Sequence, residues 1–258
     1  MNNVLSLGAG VQSTTVILMS LAGELPPIQH VIFADTGWEP QAVYRHLEEL
    51  KLEIHKAGII FHQVSRGDIR SSRGVALLPF FIKNPDGSKG FTPRQCTSNY
   101  KIYPIQKQLR EIAGLKPRQR CKEVKICLWF GISYDEFHRM KDPDFPWIKH
   151  YYPLVDNKIT RKDCQMWLKS HGWEDVPRSA CVCCPFHSNK EWKNIRKVKE
   201  EWDEVVKFDK ENRVSPRFRG ESYLHPSLKP LDQVDFRDDF ERGQTNMFGN
   251  ECEGLCGV

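Results

Sequence analysis

The sequence predicts an α/β protein with a doubly wound, mainly parallel sheet, extended at its C-terminal end by helices that contain cysteines. Short apolar runs alternate with segments of helical period through the first 65 residues, which is the pattern of parallel strands joined by helices. The chain has 258 residues, and 40% of them are apolar, enough for one sizeable core and too many for a disordered or collagen-like protein. We therefore expect an α/β domain over residues 1–155 and a helical, cysteine-rich extension with a tail over residues 156–258.

Four apolar runs are predicted as strands of this sheet, at residues 4–7, 30–34, 59–61 and 124–132. Helices are expected at about 13–22, from Pro40 through Ile54, and at about 100–112; the second of them has apolar residues at helical spacing. Residues 67–92 are rich in proline and glycine, so a long surface loop is expected there. Two further helices are expected, at 163–170 and 191–208.

The chain contains nine cysteines, an odd number that a fully paired set of disulfides cannot use. The first residues contain no basic side chain, and the apolar run at 16–22 is far shorter than the ~20 residues of a membrane span. These features predict a cytoplasmic protein with reduced thiols and no membrane partner. Cys121, Cys127 and Cys164 are isolated and are expected in the core, whereas the clusters at 181–184 and 252–256 favour metal binding or sulfur chemistry.

A turn of small residues follows the first predicted strand and precedes the first predicted helix. Its sequence is Gly8-Ala9-Gly10-Val11-Gln12-Ser13-Thr14. Small residues let backbone amides approach an anion, and the amides and hydroxyls of Ser13 and Thr14 at a helix N-terminus favour phosphate. The segment has neither the Gly-Lys-Ser/Thr of a Walker loop nor the third glycine of a dinucleotide fingerprint. It therefore predicts a phosphate site of another type.

Polar groups follow two other predicted strands, at the edge where doubly wound sheets bind ligands. Asp35 and Glu39 would coordinate Mg²⁺ or a ribose; alternatively they cap the next helix. Asp135 and Glu136, with Arg139, would orient a phosphate or a nucleotide; the alternative is a surface ion pair.

Six segments, in this order, resemble the adenine nucleotide α-hydrolase superfamily, which contains the ATP pyrophosphatases and the phosphoadenosine phosphosulfate (PAPS) reductases. They span residues 4 to about 190 and comprise 8–14, 33–39, 94–97 with Lys101 and Pro104, 131–136 with Arg139, 152–154 and 181–186. The chain departs from the family pattern at Gly8, Ala9 and Gln12, where the family has Ser, Gly and Asp, and at Ser133, where Arg is usual. Gln12 removes a carboxylate from the loop.

The resemblance implies a Rossmann-like fold of the PP-loop type that binds ATP with Mg²⁺. Lys101 would hold the triphosphate in a catalytic role. The implied reaction adenylates a substrate oxygen and releases pyrophosphate, after which a sulfur nucleophile displaces AMP. The positions implied to bind the nucleotide are Gly8, Ala9, Gly10, Gln12, Ser13, Thr14, Asp35, Glu39, Arg94, Asp135 and Arg139.

A Cys-x2-Cys pair lets two thiolates reach one metal from a tight turn, and Cys181 and Cys184 have this spacing. Cys96 is the best candidate for a third ligand, because the family pattern brings its segment near the active site. Cys183, Cys252 or Cys256 would be the fourth; three thiolates alone would instead leave one iron open to hold sulfide. The alternative to a metal site is that these cysteines are buried free thiols. Thiolates suit iron and zinc alike; the resemblance favours a [4Fe-4S] cluster, which several family members carry, and zinc is the alternative.

Two cysteines near the end of the chain, Cys252 and Cys256, stand among glycines. A mobile thiol suits a catalytic nucleophile or a sulfur carrier; metal binding and an unstructured tail are the alternatives. PAPS reductases use a tail cysteine as nucleophile, so a sulfonucleotide reductase is the second functional hypothesis.

Positive charge is concentrated in one segment, although the net charge of the chain is only +5. Residues 89–125 contain ten basic and two acidic residues, a net of +8, which favours a polyanion-binding surface over a merely solvated face. We therefore expect a nucleic-acid acceptor, as in DNA phosphorothioation or, next, tRNA thiolation, with a sulfur-donor protein such as a cysteine desulfurase. The third hypothesis, motivated by Gln12, is a protein that binds a nucleotide or a nucleic acid without catalysis.

Overall fold

The computed structural model describes residues 1–71, 75–215, 217 and 219–237. The chain divides into two compact units. The first comprises Met1–Gly67 and Thr97–Ser179, and the second comprises Asp68–Cys96 and the described residues from Ala180 onward. Residues 156–179, which we expected in the C-terminal extension, therefore belong to the first unit, and residues 68–96 belong to the second.

Five parallel strands form the sheet of the first unit. Numbered along the whole chain, they are β1 (Asn2–Leu7), β2 (His30–Asp35), β3 (Ile60–Ser65), β6 (Ile126–Phe130) and β7 (Ile148–Tyr151). Their order is β3-β2-β1-β6-β7, and every neighbouring pair is parallel, which confirms the predicted α/β fold. The order reverses at β1, so the loops after β1 and β6 border the topological switch point, where doubly wound sheets bind ligands.

Helices cover both faces of this sheet, as the alternation of side chains along β1 requires. Leu5 and Leu7 belong to a core cluster with the buried faces of several helices, whereas Val4 lies in a second cluster with Leu109. No described helix is long and apolar enough to cross a membrane. The helical segments are α1 (Val11–Leu21), α2 (Gln41–Lys56), a π-helical turn (Thr97–Ile102), α3 (Tyr103–Ile112), a 3₁₀ helix (Tyr134–Arg139), α4 (Pro153–Asp156) and α5 (Arg161–Ser170).

The second unit contains a three-stranded antiparallel sheet and two helices. The strands are β4 (Phe81–Lys83), β5 (Lys89–Phe91) and β8 (Glu221–Tyr223), and their order is β5-β4-β8. The helices are α6 (Asn189–Lys197) and α7 (Lys199–Glu211), and a 3₁₀ helix at Leu231–Gln233 follows them.

Two expectations about secondary structure were wrong. The segment 67–92 contains the β4–β5 hairpin rather than a continuous loop, because its proline and glycine form the tight turn, in which Asn84 N donates to Ser88 O (2.9 Å) and Gly87 has a φ of +82°. The single helix expected over 191–208 is two helices, because Val198 has extended backbone angles (φ −98°, ψ 99°).

Candidate functional site

The turn between β1 and α1 is folded around the hydroxyl of Ser13. Ser13 Oγ accepts a hydrogen bond from Gly8 N (3.2 Å) and donates to Gly10 O (3.3 Å), while Thr14 N donates to Gly10 O (3.0 Å). The first turn of α1 contains no acidic residue. Its partial positive charge is therefore not offset by the helix's own side chains, and the helix N-terminus suits an anion.

The end of β6 lies directly against the start of α1. A Cβ atom built on Gly131 would lie 2.5 Å from Ser13 N and 2.7 Å from Ser13 Cα, closer than real Cβ atoms approach other atoms. The two loops that border the switch point therefore meet at Gly131 and Ser13, and only glycine permits this approach.

Ser179 borders the same loop, although sequence reasoning did not identify it. A Cβ atom on Gly10 would lie 3.3 Å from both Cβ and N of Ser179, and one on Gly8 would lie 3.5 Å from Ser179 Oγ. Small residues at positions 8 and 10 are therefore what allows the chain at residue 179 to pack on the loop.

Gln12 forms hydrogen bonds with two charged side chains of the first unit. Its Nε2 donates to Glu136 Oε2 (3.2 Å), and its Oε1 accepts from Arg161 Nη1 (3.1 Å). Arg139 Nη1 pairs with the same carboxylate oxygen of Glu136 (2.5 Å). The superfamily that this loop resembles has Asp at position 12, and in this chain Glu136 places a carboxylate beside that position. A second carboxylate at position 12 would be repelled by the carboxylate of Glu136. No pattern in the sequence pointed to Arg161.

Asp135 is exposed, and its Oδ1 accepts from Arg161 N at the first residue of α5 (3.0 Å). This contact fixes the start of α5 and leaves the rest of the carboxylate towards solvent. Gln12, Asp135 and Arg139, three predicted site residues, are therefore linked through Arg161 and Glu136.

Asp35 is held by three donors of the protein itself. Its Oδ1 accepts from Gly37 N (2.8 Å) and Tyr44 OH (2.8 Å), and its Oδ2 accepts from Gln63 Nε2 (2.9 Å). Burial of Tyr44, followed by the neighbouring Asp35 carboxylate, raises the pKa of that phenol, so it remains a donor. Asp35 thus fixes the turn after β2 and does not cap α2, whose N-cap residue is Pro40 without a side-chain hydrogen bond.

Glu39 and Lys101 form an ion pair at the same edge of the sheet. The Glu39 side chain is only 1% exposed, and its Oε1 accepts from Thr36 Oγ1 (3.0 Å) and lies 3.5 Å from Lys101 Nζ. The Lys101 side chain is 33% exposed. Lys101 therefore compensates a buried carboxylate and can still be reached by a ligand.

Thr14 directs its hydroxyl to a buried histidine. Thr14 Oγ1 lies 2.9 Å from His46 Nε2, and both residues are buried. The hydroxyl of Thr14, which we expected to help bind phosphate, is thus occupied by His46. Burial lowers the pKa of His46 to about 4.

His46 makes the stability of the first unit depend on pH. Because its pKa falls from 6.5 in the unfolded chain to about 4, only the unfolded chain takes up a proton between these values, so folding weakens as the pH falls. At pH 5, protonation of His46 in the unfolded chain is expected to lower the free energy of unfolding by at most about 2 kcal/mol relative to pH 7. Urea denaturation of His46→Gln should show a smaller loss between pH 7 and pH 5 than the wild type.

The matched control is His55→Gln, which changes an exposed histidine of the same helix. This variant should retain the pH dependence of the wild type. Equal losses in His46→Gln and the wild type would contradict the prediction.

In the second unit, the Cys-x2-Cys segment forms a tight turn. Cys184 N donates to Cys181 O (2.9 Å), and His187 Nε2 lies 2.9 Å from the same carbonyl oxygen. Cys181 and Cys184 are half-buried, whereas Cys183 is completely buried. The turn therefore holds two partly accessible thiols close together in sequence and space.

The segment that contains Cys96 packs beside this turn within the second unit. The rings of Phe91 and Phe186 lie 5.5 Å apart, and the guanidinium carbon of Arg94 lies 5.5 Å from the centre of the Phe186 ring. Cys96 itself is half-buried. The described residues nevertheless contain no group of three or more His, Cys, Asp or Glu side chains arranged to hold a metal ion. The thiol chemistry suits a metal, but the three thiols are not assembled around one point.

The remaining described cysteines differ in how deeply they are buried. Cys127 and Cys164 lie in the core, where burial raises the pKa of both thiols, that of Cys164 to about 11. Cys121 is half-buried in a loop, and its Sγ lies 3.4 Å from Glu123 O, so it is only peripheral to the core. Cys252 and Cys256 lie outside the described residues.

The segment 89–125, treated as one basic surface in the sequence, is divided between the two units. Lys89 and Arg94 belong to the second unit, and the other eight basic residues belong to the first. Arg94, expected to bind the nucleotide, stacks on Phe186 of its own unit.

No protein-family model matches this sequence, and no curated protein matches it. Among solved structures, one similar chain is the U34-tRNA thiolase NcsA from Methanococcus maripaludis with its [4Fe-4S] cluster. The two chains are 14% identical with a TM-score of 0.45, and the alignment covers 81% of this chain and 72% of NcsA. A likeness this distant assigns neither family nor function, so both depend on the residues of this chain.

Proposed function

We propose that this protein is an ATP pyrophosphatase that adenylates an oxygen of a nucleic acid so that sulfur can replace it. The observation that carries the proposal is the loop at the switch point, where the α1 N-terminus, Gly131 and the carboxylate of Glu136 come together. A phosphate chain at this loop would meet backbone amides and the positive end of a helix.

The residues of the first unit would act on the phosphates of ATP. The loop at 8–13 would bind the leaving pyrophosphate, and Lys101 would offset the charge that develops on the phosphate oxygens. Glu136 would hold Mg²⁺, which when bound neutralises phosphate charge. Arg139 and Gln12 would fix the position of Glu136, as they do in the structure.

The reaction would consist of two displacements, each of which forms one bond and breaks another. The acceptor oxygen attacks the α-phosphorus, the bond from that phosphorus to the bridging oxygen breaks, and pyrophosphate leaves. A sulfur nucleophile then attacks the atom that bears the activated oxygen, and AMP leaves with that oxygen. DNA phosphorothioation is the acceptor chemistry we favour, and tRNA thiolation is the next.

The second unit would supply the sulfur chemistry. Cys96, Cys181 and Cys184 are the proposed ligands of a [4Fe-4S] cluster, and zinc is the alternative metal for these thiols. Because the three thiols are not assembled around one point in the described residues, they would have to converge to hold either metal. A cysteine desulfurase is the proposed sulfur donor, and Cys252 and Cys256 are proposed as carriers or nucleophiles. A cytoplasmic location fits reduced thiols.

The experiment separates the three functional hypotheses. Anaerobically purified protein is incubated with Mg-ATP in the presence of DNA or tRNA, and separately with PAPS and a thiol reductant, and pyrophosphate and sulfite are measured. Pyrophosphate release is expected. Sulfite alone would identify a sulfonucleotide reductase, and nucleotide binding without either product would identify a binding protein.

Lys101→Ala is expected to lower the rate of pyrophosphate release by on the order of 100-fold, because the variant loses a cation that stabilises the transition state. Lys107→Ala, which changes an exposed lysine of α3, is the control and should keep the wild-type rate. Since Lys101 also compensates Glu39, the double variant Lys101→Ala with Glu39→Gln should recover thermal stability but not activity. Wild-type turnover in Lys101→Ala would refute the assignment.

A further inference from the structure

A turn of exposed cations lies between α3 and β6, in a part of the first unit that has no role in the proposed reaction. We call residues 116–122 the basic turn. Its four charged residues are exposed, and none of them forms an ion pair with another described residue. Glu123, the neighbouring acidic residue, is paired with Lys125 (Nζ–Oε2 2.6 Å). The charged residues of the basic turn are Lys116, Arg118, Arg120 and Lys122.

The backbone of the basic turn is held in one conformation. Gln119 N donates to Lys116 O (3.1 Å), and the Arg110 guanidinium donates to Lys116 O (2.7 Å) and Gln119 O (2.9 Å). Arg110 is itself placed by Trp147, whose ring centre lies 5.6 Å from the guanidinium carbon. Arg118 adopts a φ of +62°, a costly conformation for a residue other than glycine. The positive charges are therefore preorganised, which lowers the entropy lost when a ligand binds.

The basic turn lies at the opposite edge of the sheet from the nucleotide loop. β6 begins at Ile126, shortly after the basic turn, and ends at Phe130, directly before Gly131 at the switch point. Five residues of a strand extend about 17 Å. The basic turn is thus too far away to contact the phosphates of an ATP molecule bound at the loop. Its charges would instead meet a polyanion that extends along the side of the unit.

We propose that the basic turn binds the phosphate backbone of the nucleic-acid acceptor while the reacting group of the acceptor lies at the switch point. The inference rests on the proposed function and names a second contact for its macromolecular substrate. Arginine forks and lysine ammonium groups bind phosphate oxygens without reading sequence. The basic turn contains no large apolar side chain to enter a bilayer, so nucleic acid fits it better than a membrane surface.

The test removes the four charges and leaves the fold intact. A variant with Lys116→Gln, Arg118→Gln, Arg120→Gln and Lys122→Gln is compared with a control that loses four exposed lysines elsewhere, Lys56→Gln, Lys169→Gln, Lys199→Gln and Lys207→Gln. Binding of single-stranded and duplex DNA and RNA of about 20 nucleotides is measured by fluorescence anisotropy between about 50 and 200 mM KCl, the range in which phosphate contacts dominate the salt response.

The basic-turn variant should bind about 10- to 100-fold more weakly, for every sequence, and the slope of log K against log salt should fall by about 3. The control should stay within about threefold of the wild type. ATP binding, measured without nucleic acid, should be unchanged in both proteins.

Equal weakening of the two variants would show a diffuse charge effect and overturn the inference. Unchanged nucleic-acid binding by the basic-turn variant would also overturn the inference. The same holds if that variant loses binding only to vesicles that contain phosphatidylserine. The proposed function is tested separately. If the basic-turn variant loses nucleic-acid binding but the wild type never releases pyrophosphate from ATP, the basic turn is a nucleic-acid-binding surface and the proposed reaction is wrong.

Discussion

Gly131→Ala is expected to abolish ATP binding and to lower the free energy of unfolding by about 3 kcal/mol. The new methyl group would lie 2.5 Å from Ser13 N, so either β6 or the start of α1 must move. Both segments are built into the buried core, and neither end can shift without disturbing the packing of its own element. The loop that receives the phosphates would then lose the position of its helix N-terminus.

Gly8→Ala is the matched control for the effect of Gly131→Ala on stability. It adds the same methyl group to the same loop, but the nearest atom, Ser179 Oγ, lies at an ordinary contact distance of 3.5 Å. Its cost should stay below about 1 kcal/mol. Urea denaturation measures the stability of both variants, and isothermal titration measures ATP binding by Gly131→Ala. Normal ATP binding in Gly131→Ala would show that the crevice between β6 and α1 is not the nucleotide site.

Cys181→Ser and Cys184→Ser are each expected to reduce the iron content of anaerobically purified protein to less than about a tenth of the wild-type value, since serine is a poor ligand for a cluster that thiolates hold. Each change replaces one half-buried thiol on the tight turn. Absorbance near roughly 400 nm should disappear with the iron. Zinc in the wild type, in stoichiometric amount and without this absorbance, would identify the alternative metal.

Cys121→Ser serves as the control, because it changes a half-buried thiol that lies in a loop of the first unit, away from the Cys-x2-Cys turn. Its iron content should equal that of the wild type. Full metal content in both turn variants would remove Cys181 and Cys184 from the ligand set.

The parallel sheet was predictable from sequence because its central strands are continuous apolar runs, as buried parallel strands must be. β7 escaped prediction because Lys149 and His150 interrupt its apolar pattern at the edge of the sheet, where one side of the strand is not covered by a neighbour. The β4–β5 hairpin escaped for another reason: strands of three residues are too short to show a period.

The tight turn at residues 8–10 was predictable from sequence, but the contacts of the candidate site residues were not. Gly8 and Gly10 mark a tight turn after a strand, and that signal is local. The partners of Gln12 and Thr14 are not local: Arg161 lies 149 residues from Gln12 along the chain, and the distance from Thr14 to His46 is 32 residues. Such pairs depend on how the helices pack on the sheet, and the spacing of residues along the sequence does not predict that packing. The division of the basic segment between two units is likewise a property of the folded chain.

The contacts of Gln12 determine where negative charge lies beside this loop. An acid, Glu136, has its carboxylate 3.2 Å from the amide nitrogen of Gln12. Changing Gln12 to Asp would therefore insert a second negative charge next to the first. Positions 12, 136 and 161 form one hydrogen-bonded unit, so a change of charge at any one of them alters the surroundings of the other two.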